Sequence, residues 1–406
     1  MSCISLYVPN PYKPSWLMGQ RRYKRICPSS GSNKPFILCF GLQGMNKVVL
    51  FIIDGLGDLP TPKTPLQAAK TPNLDKIAHK GVTGMLAPLG RGVVPGSDTS
   101  HLELLGYDPR LFYCGRGPLE ALGLGMELEE GDVAFRANFA TVEDGKVVDR
   151  RAGRIDTESA SKLAEGLSME IEGVKVIFQN SVEHRGALVL RGAGISHMVS
   201  GTDAKRGHPL PLSHPFDESG ESEKTARVVN TFMQKAMEKL GTSHVNKIRE
   251  AAGKPPANAL LLRGAGSYVE VPTFEERFNV KAACVAGGAL YRGVARYLGL
   301  DIFMLTGNTG DKHTDLKAKA IAVVKALEDY DLLFLHVKAC DNFGHDGDFK
   351  GKTKMLERID KEMISALAKT GADLVITGDH STPCSRKGHS GHEVPILFYG
   401  DNERYD

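Results

Sequence analysis

The chain has 406 residues, 41% hydrophobic and 24% charged, an ordinary globular composition with room for two or three domains and full-sized cores. No apolar run approaches the roughly 18–20 residues of a membrane-spanning helix, and neither a membrane nor a nucleic acid is expected as a partner, although the formal charge of +3 says little by itself. That charge is unevenly placed. Residues 1–44 carry Lys13, Arg21, Arg22, Lys24, Arg25 and Lys34 and no acid, which leaves 45 basic against 48 acidic residues, net −3, in the rest. Such a segment reads as a start assigned too early, with Met45 as the better beginning, or else as a transit-like leader. In both readings it stands outside the fold. Cys114, Cys284, Cys340 and Cys384 form no CxxC pair, which predicts a reduced, cytoplasmic protein in which they serve as small apolar residues.

Along the chain, Lys47–Ile53 is predicted as a buried parallel strand ending in Asp54-Gly55. A helix follows, with Thr71 as N-cap, Pro72 at its first position and Gly81 as its stop, and a second runs from Ser97 to Leu105. The middle changes character. Strands Val133–Val142 and Lys146–Asp149 flank a hairpin turn at Glu143-Asp144-Gly145. Helix Ser159–Leu167, strands Val174–Gln179 and Ala187–Leu190, an irregular loop over 192–221 and helix Glu223–Leu240 come next. Gly253-Lys254-Pro255-Pro256 marks a hinge. Beyond it the α/β alternation is expected to resume with strands Ala259–Leu262 and Lys281–Val285, then helices Ala289–Leu298 and Asp315–Leu327. Strand Leu332–Val337, helix Lys352–Lys369, and strands Asp373–Thr377 and Val394–Tyr399 complete it. The predicted fold class is α/β, a doubly wound sheet formed by 45–119 and 259–406, with a smaller α+β domain inserted at 120–258.

In such sheets functional groups collect beyond the carboxyl ends of strands. Asp54, Asp341 and Asp379 each follow a predicted strand, and His345, His380 and His389 lie close to the latter two. One D-x-x-x-H pair is weak, since about one is expected by chance. Three strand-end carboxylates with three imidazoles are a stronger signal for divalent cations held by nitrogen and oxygen. Ser97, at a helix start, supplies a hydroxyl for nucleophilic chemistry. Thr99 and Ser100 beside it are alternative hydroxyls, with capping the helix the favoured role, and His101 either touches the site or makes a structural hydrogen bond. Arg150, Arg151 and Arg154 cluster in DRRAGR, and guanidinium forks suit carboxylate and phosphate. Arg116, Arg136, Arg263 and Lys338 are weaker candidates of that kind.

The ordered series VVLFIIDGLGD (48–58), TPNLDKIAHKG (71–81), PGSDTSHLELLGYDP (95–109), FRANFATVEDGKVVDRRAGRI (135–155), DNFGHDGD (341–348), ITGDHSTP (376–383) and HSGHEVPILFYG (389–400) resembles the archaeal-type 2,3-bisphosphoglycerate-independent phosphoglycerate mutases of the alkaline phosphatase superfamily. The resemblance spans about 46–400. It implies two divalent metal ions (Mn, Zn, Co or Mg), one held by Asp54, Ser97, Asp379 and His380, the other by Asp341, His345 and His389. The family's ligand spacing before Val394-Pro395 selects His389 over His392. Ser97 becomes the nucleophile and carries a phosphoserine intermediate. Arg150, Arg151, Arg154 and Lys338 bind the substrate, a phosphoglycerate, and the inserted domain acts as a lid hinged near Gly117-Pro118 and Pro255-Pro256. The segment 201–208 departs from the family pattern, so Asp203 and His208 have no assigned role. The expected activity is interconversion of 3-phosphoglycerate and 2-phosphoglycerate in glycolysis and gluconeogenesis. A metal-dependent phosphatase or a homoserine kinase of the same superfamily is the alternative. A homo-oligomer is compatible with this reading, which does not set the oligomeric state.

Overall fold

The structure, a computed structural model, describes residues 46–400. Residues 1–44, read as a start assigned too early or else a transit-like leader, lie outside the described residues. The described residues divide into two compact units: one is formed by 46–113 and 272–400, the other is Cys114–Val271. The second reaches further at both ends than the insertion expected from sequence, and both expected hinges lie inside it. Gly117 and Pro118 are buried within a helix, Arg116–Leu124, that the sequence reading lacked.

In chain order the strands are β1 Val48–Ile53, β2 Val82–Leu86, β3 Val133–Glu143, β4 Lys146–Asp149, β5 Met169–Ile171, β6 Val174–Asn180 and β7 Arg185–Arg191. Then come β8 Ala259–Ser267, β9 Ala282–Val285, β10 Asp301–Ile302, β11 Leu332–Val337, β12 Asp373–Thr377 and β13 Val394–Tyr399. The first unit is built on a seven-stranded sheet of order β10-β9-β11-β1-β12-β13-β2. The first five run parallel, and β13 is antiparallel to both of its neighbours. Every residue of β1 and β11 is buried, which is why these strands read as unbroken apolar runs rather than alternating ones. Phe51, Ile53, Leu333, Leu335, Leu356 and Ile359 belong to one continuous core. This is the doubly wound α/β sheet expected, with β11, β1 and β12 side by side.

The second unit holds a six-stranded sheet in which the long β3 pairs antiparallel with β7 and with β8. Here the sequence reading needs correction. Ala259–Leu262 does not resume the parallel alternation; it opens β8 and lies antiparallel to β3. Four apolar residues in a row make a buried strand, but they do not say which neighbour it will find. Helix Gly220–Thr242 lays Val229, Phe232, Met233 and Ala236 onto this unit's core.

Helix Lys352–Lys369 is not continuous either. It begins at Phe349 and is interrupted by a π-turn over Asp360–Ile364. Asp360 there accepts the backbone N–H of Leu74 at 2.7 Å and of Asn73 at 3.3 Å. It therefore caps helix Pro72–Lys80, the task expected of Thr71, whose side chain makes no capping bond.

Candidate active site

Three adjacent parallel strands bring the carboxylates together. Asp54 follows β1, and its N–H bonds the carbonyl of Val337, the last residue of β11, at 3.0 Å. Asp379 follows β12, and its Oδ1 accepts the Gly55 N–H at 3.1 Å. Asp341 and His345 stand on a short helix, Ala339–Asp346, one turn apart on one face, with His345 Nε2 3.3 Å from Asp341 Oδ1. His380 Nε2 lies 3.2 Å from Asp379 Oδ2, 3.4 Å from Asp54 Oδ1 and 3.1 Å from Ser97 Oγ. His389 Nε2 is 3.5 Å from Asp341 Oδ1. Thus residues separated by up to 335 positions meet beyond the carboxyl ends of one sheet.

The hydrogen bonds at the far side of each ring decide what the near side can do. His345 Nδ1 faces the Lys387 carbonyl at 3.2 Å, and His389 Nδ1 faces the Pro95 carbonyl at 3.0 Å. A carbonyl only accepts, so each Nδ1 carries a proton and each Nε2 faces Asp341. Asp341 raises the pKa of both rings, at His389 against its burial, by drawing a second proton to that nitrogen unless a cation takes its lone pair. A lone pair aimed at a carboxylate is stable only with a cation or a second proton between them. Asp54 Oδ1 and Asp379 Oδ2 are buried and have no hydrogen-bond partner. Within this site, Asp54, Asp379 and His380 offer ligand atoms mutually within 4.8 Å, and so do Asp341, His380 and His389. The residues therefore fit divalent cations, and His380 can serve either group. His345 is half exposed and lies at the edge.

Electrostatics agree with that fit. Burial would raise the Asp54 carboxyl, but the Lys338 ammonium 3.3 Å away, together with His336 and His380, outweighs it and holds it well below the usual range. Asp341 is likewise buried, yet His345, His389 and Lys338 press its acid form down. Asp379 goes the other way, pushed up by burial and by the negative charge of Asp54. Burial lowers His380 to about 4, keeping the ring neutral and a lone pair available.

Several functional side chains escaped the sequence reading. Tyr291 donates to Asp54 Oδ2, receives Lys338 Nζ at 2.9 Å, and stacks on His336 with ring centroids 3.6 Å apart. His336 Nε2 lies 3.3 Å from the same Asp54 oxygen. A lone polar residue in the apolar run of β11 was its only signal; Tyr291 left none. Lys338 bonds Asp341 Oδ2 at 2.9 Å as well, so it bridges the two carboxylates. His101 Nδ1 bonds the Ser97 carbonyl at 2.5 Å and lies 3.7 Å from Asp379 Oδ2, so it makes a structural bond and also borders the site, the two readings the sequence left open. Thr99 donates to the Gly96 carbonyl instead of capping the helix, and Ser100 is buried without a partner. His392 bonds Ser390 Oγ and not the carboxylates, while Cys340 and Cys384 are buried thiols.

In the second unit, Arg150 Nη2 lies 2.5 and 2.7 Å from the oxygens of Asp203, which also receives Arg263 at 3.2 Å. Arg151 and Arg154 are exposed. Burial together with the charges of Arg185, Arg151, Arg154 and Arg263 pushes the His184 ring down to about 4. This unit thus concentrates guanidinium charge, with Asp203 as a shared counter-ion. His208 enters through its backbone carbonyl, which accepts from Val147 N–H.

A sequence profile described as 2,3-bisphosphoglycerate-independent phosphoglycerate mutase matches residues 78–246. The chain is 46% identical over 368 residues to "2,3-bisphosphoglycerate-independent phosphoglycerate mutase 1" of Methanocaldococcus jannaschii, covering 89% of this chain and 90% of that protein. Among solved structures, a protein of Pyrococcus horikoshii superposes with a TM-score of 0.76 at 36% identity, covering 89% of each chain. The cofactor-independent phosphoglycerate mutase of Thermoplasma acidophilum does so with 0.65 at 37%, covering 89% of this chain and 92% of that one.

Proposed function

The chain belongs to the 2,3-bisphosphoglycerate-independent phosphoglycerate mutases, and from that membership we infer that it interconverts 3-phosphoglycerate and 2-phosphoglycerate through a phosphoserine on Ser97. The observation that carries the reading is the position of Ser97 Oγ, 3.1 Å from His380 Nε2 and beside two groups of cation ligands. Asp54, Ser97, Asp379 and His380 would hold one divalent cation, and Asp341, His345 and His389 the other. Their nitrogen and oxygen donors, without thiolate, suit Mn, Zn, Co or Mg, of which we favour Mn. When bound, the cations neutralise charge on the phosphoryl oxygens and lower the pKa of the Ser97 hydroxyl.

In the forward direction Ser97 Oγ gives up its proton and attacks the phosphorus of 3-phosphoglycerate. The bond from phosphorus to the C3 oxygen breaks, and that oxygen takes a proton and leaves as the glycerate hydroxyl. Glycerate then turns, and its C2 hydroxyl loses a proton and accepts the phosphoryl group back from Ser97. The N-terminus of helix Ser97–Leu104 directs backbone N–H groups to where phosphate would sit. Arg150, Arg151, Arg154 and Lys338 are the proposed partners of the substrate's phosphate and carboxylate. Net isomerisation demands that glycerate stay bound and water stay out, the role we assign to the second unit as a lid. We place the enzyme in the cytoplasm; among the described residues no helix is long and apolar enough to cross a membrane. The phosphatase and homoserine kinase alternatives are not favoured, because relatives at this identity carry the mutase name.

An enolase-coupled assay tests the reading. Activity is expected without added 2,3-bisphosphoglycerate, lost with chelator, restored by Mn and absent in Ser97→Ala. A phosphorylated peptide centred on another residue, or release of inorganic phosphate faster than isomerisation, would overturn it.

A further inference from the structure

His380 differs from the other two imidazoles in what faces its Nδ1. His345 and His389 each meet a carbonyl, which can only accept. His380 Nδ1 instead meets the Thr382 hydroxyl at 3.0 Å, and a hydroxyl can donate or accept. Which it does is settled by a third group. Thr382 Oγ1 lies 2.9 Å from Asp341 Oδ1, a carboxylate oxygen that only accepts. The single hydroxyl proton is drawn to the carboxylate, so the oxygen can only accept from His380 Nδ1–H. The ring's lone pair is then on Nε2, the atom that faces Ser97, Asp54 and Asp379.

The hydroxyl is also held in place. Thr382 is fully buried. A Cβ on Gly55 would stand 2.8 Å from its Oγ1, and one on Gly344 would stand 2.8 Å from its Cγ2. Gly55 has φ +66°, and neither position leaves room for a side chain beside the threonine. The backbone is pinned too: Thr382 N–H bonds the Gly57 carbonyl at 3.1 Å, and the buried Lys352 Nζ reaches the Thr382 carbonyl at 3.0 Å.

We propose that Thr382 is a positioning residue: by giving its proton to Asp341 and accepting that of His380, it sets the His380 tautomer and ties the two cation-ligand groups into one unit. The proposal rests on the reading above that His380 and Asp341 hold cations. Outer hydrogen bonds of this kind are worth about 10–100-fold in metal affinity.

The test uses the full chain, stripped of metal, with ring ¹⁵N chemical shifts of His380 and Mn²⁺ affinity from electron paramagnetic resonance of free Mn²⁺. In the metal-free wild type, with the Ser97 hydroxyl 3.1 Å away donating to the Nε2 lone pair, His380 is expected to carry its proton on Nδ1. Thr382→Val, which keeps the shape and deletes the hydroxyl, is expected to lose that single tautomer and to bind Mn²⁺ about tenfold or more weakly. Thr382→Ser restores the donor and acceptor and is expected to recover both readouts. A wild-type ring protonated on Nε2 overturns the proposal, even if the valine variant fails to fold. So does a valine variant with wild-type affinity and tautomer, or a serine variant as weak as valine, which would make the methyl group responsible. Should the wild type bind no Mn²⁺, the cation reading itself fails, while the tautomer measurement still decides the role of Thr382.

Discussion

Replacing Lys352 by methionine removes the donor of three buried hydrogen bonds while keeping nearly the same volume, so no large cavity opens. The ammonium group bonds Asp58 Oδ2 at 3.0 Å, the Gly57 carbonyl at 3.1 Å and the Thr382 carbonyl at 3.0 Å. These acceptors suffer unequally. Gly57 O keeps the Thr382 N–H, and Asp58 keeps the N–H groups of Cys384 and Leu59. The dominant cost is therefore the Asp58 carboxylate left buried without its counter-charge. Removing one partner of such a pair costs about 3–5 kcal/mol, or a drop in melting temperature of roughly 6–20 °C at ~2–4 °C per kcal/mol. Urea unfolding at neutral pH, read by the transition midpoint at unchanged slope, measures it. The double variant Asp58→Asn with Lys352→Met should recover at least about 1 kcal/mol of that loss, because the stranded charge is gone. A Lys352→Met protein within about 1 kcal/mol of wild type would refute the reasoning, as would additive losses in the double variant.

Tyr291→Phe removes the hydroxyl bonded to Asp54 and Lys338 but keeps the ring stacked on His336; Mn²⁺ affinity by calorimetry should fall about tenfold with little change in melting temperature. Unchanged affinity would show that Asp54 needs no help in presenting Oδ1. His184 offers a pH test away from the cation ligands. Its ring is depressed from the usual 6.5 to about 4, so between those values the unfolded chain binds a proton that the folded one refuses. Its stabilising contribution is fully present above pH 6.5 and is lost as pH falls towards 4. Urea midpoints at pH 7 and pH 5 should differ less in His184→Gln than in wild type; equal differences would exclude this residue as the cause.

What could be read without coordinates was whatever short stretches of chain enforce. The runs Val48–Ile53 and Leu332–Val337 must be buried strands, and the groups that follow them must emerge at a strand end, so Asp54, Asp341 and Asp379 were recognisable as partners. Ser97 at its helix start and His345 one turn from Asp341 were equally local. Other features depend on distant neighbours. β8 looks like a parallel strand until β3 pairs with it the other way, and helix Pro72–Lys80 is capped by Asp360 from a π-turn far along the chain. Tyr291, His336 and Thr382 owe their importance to atoms brought within 2.9–3.3 Å by folding; nothing nearby in sequence marks Tyr291 or the role of Thr382, and His336 shows only as one polar residue in an apolar run. Backbone geometry and apolar periodicity act over a few residues, so the sequence alone determined which strands form and which acids follow them. Hydrogen-bond direction around a buried carboxylate acts through space, and only the tertiary structure decided how each of these side chains is aimed.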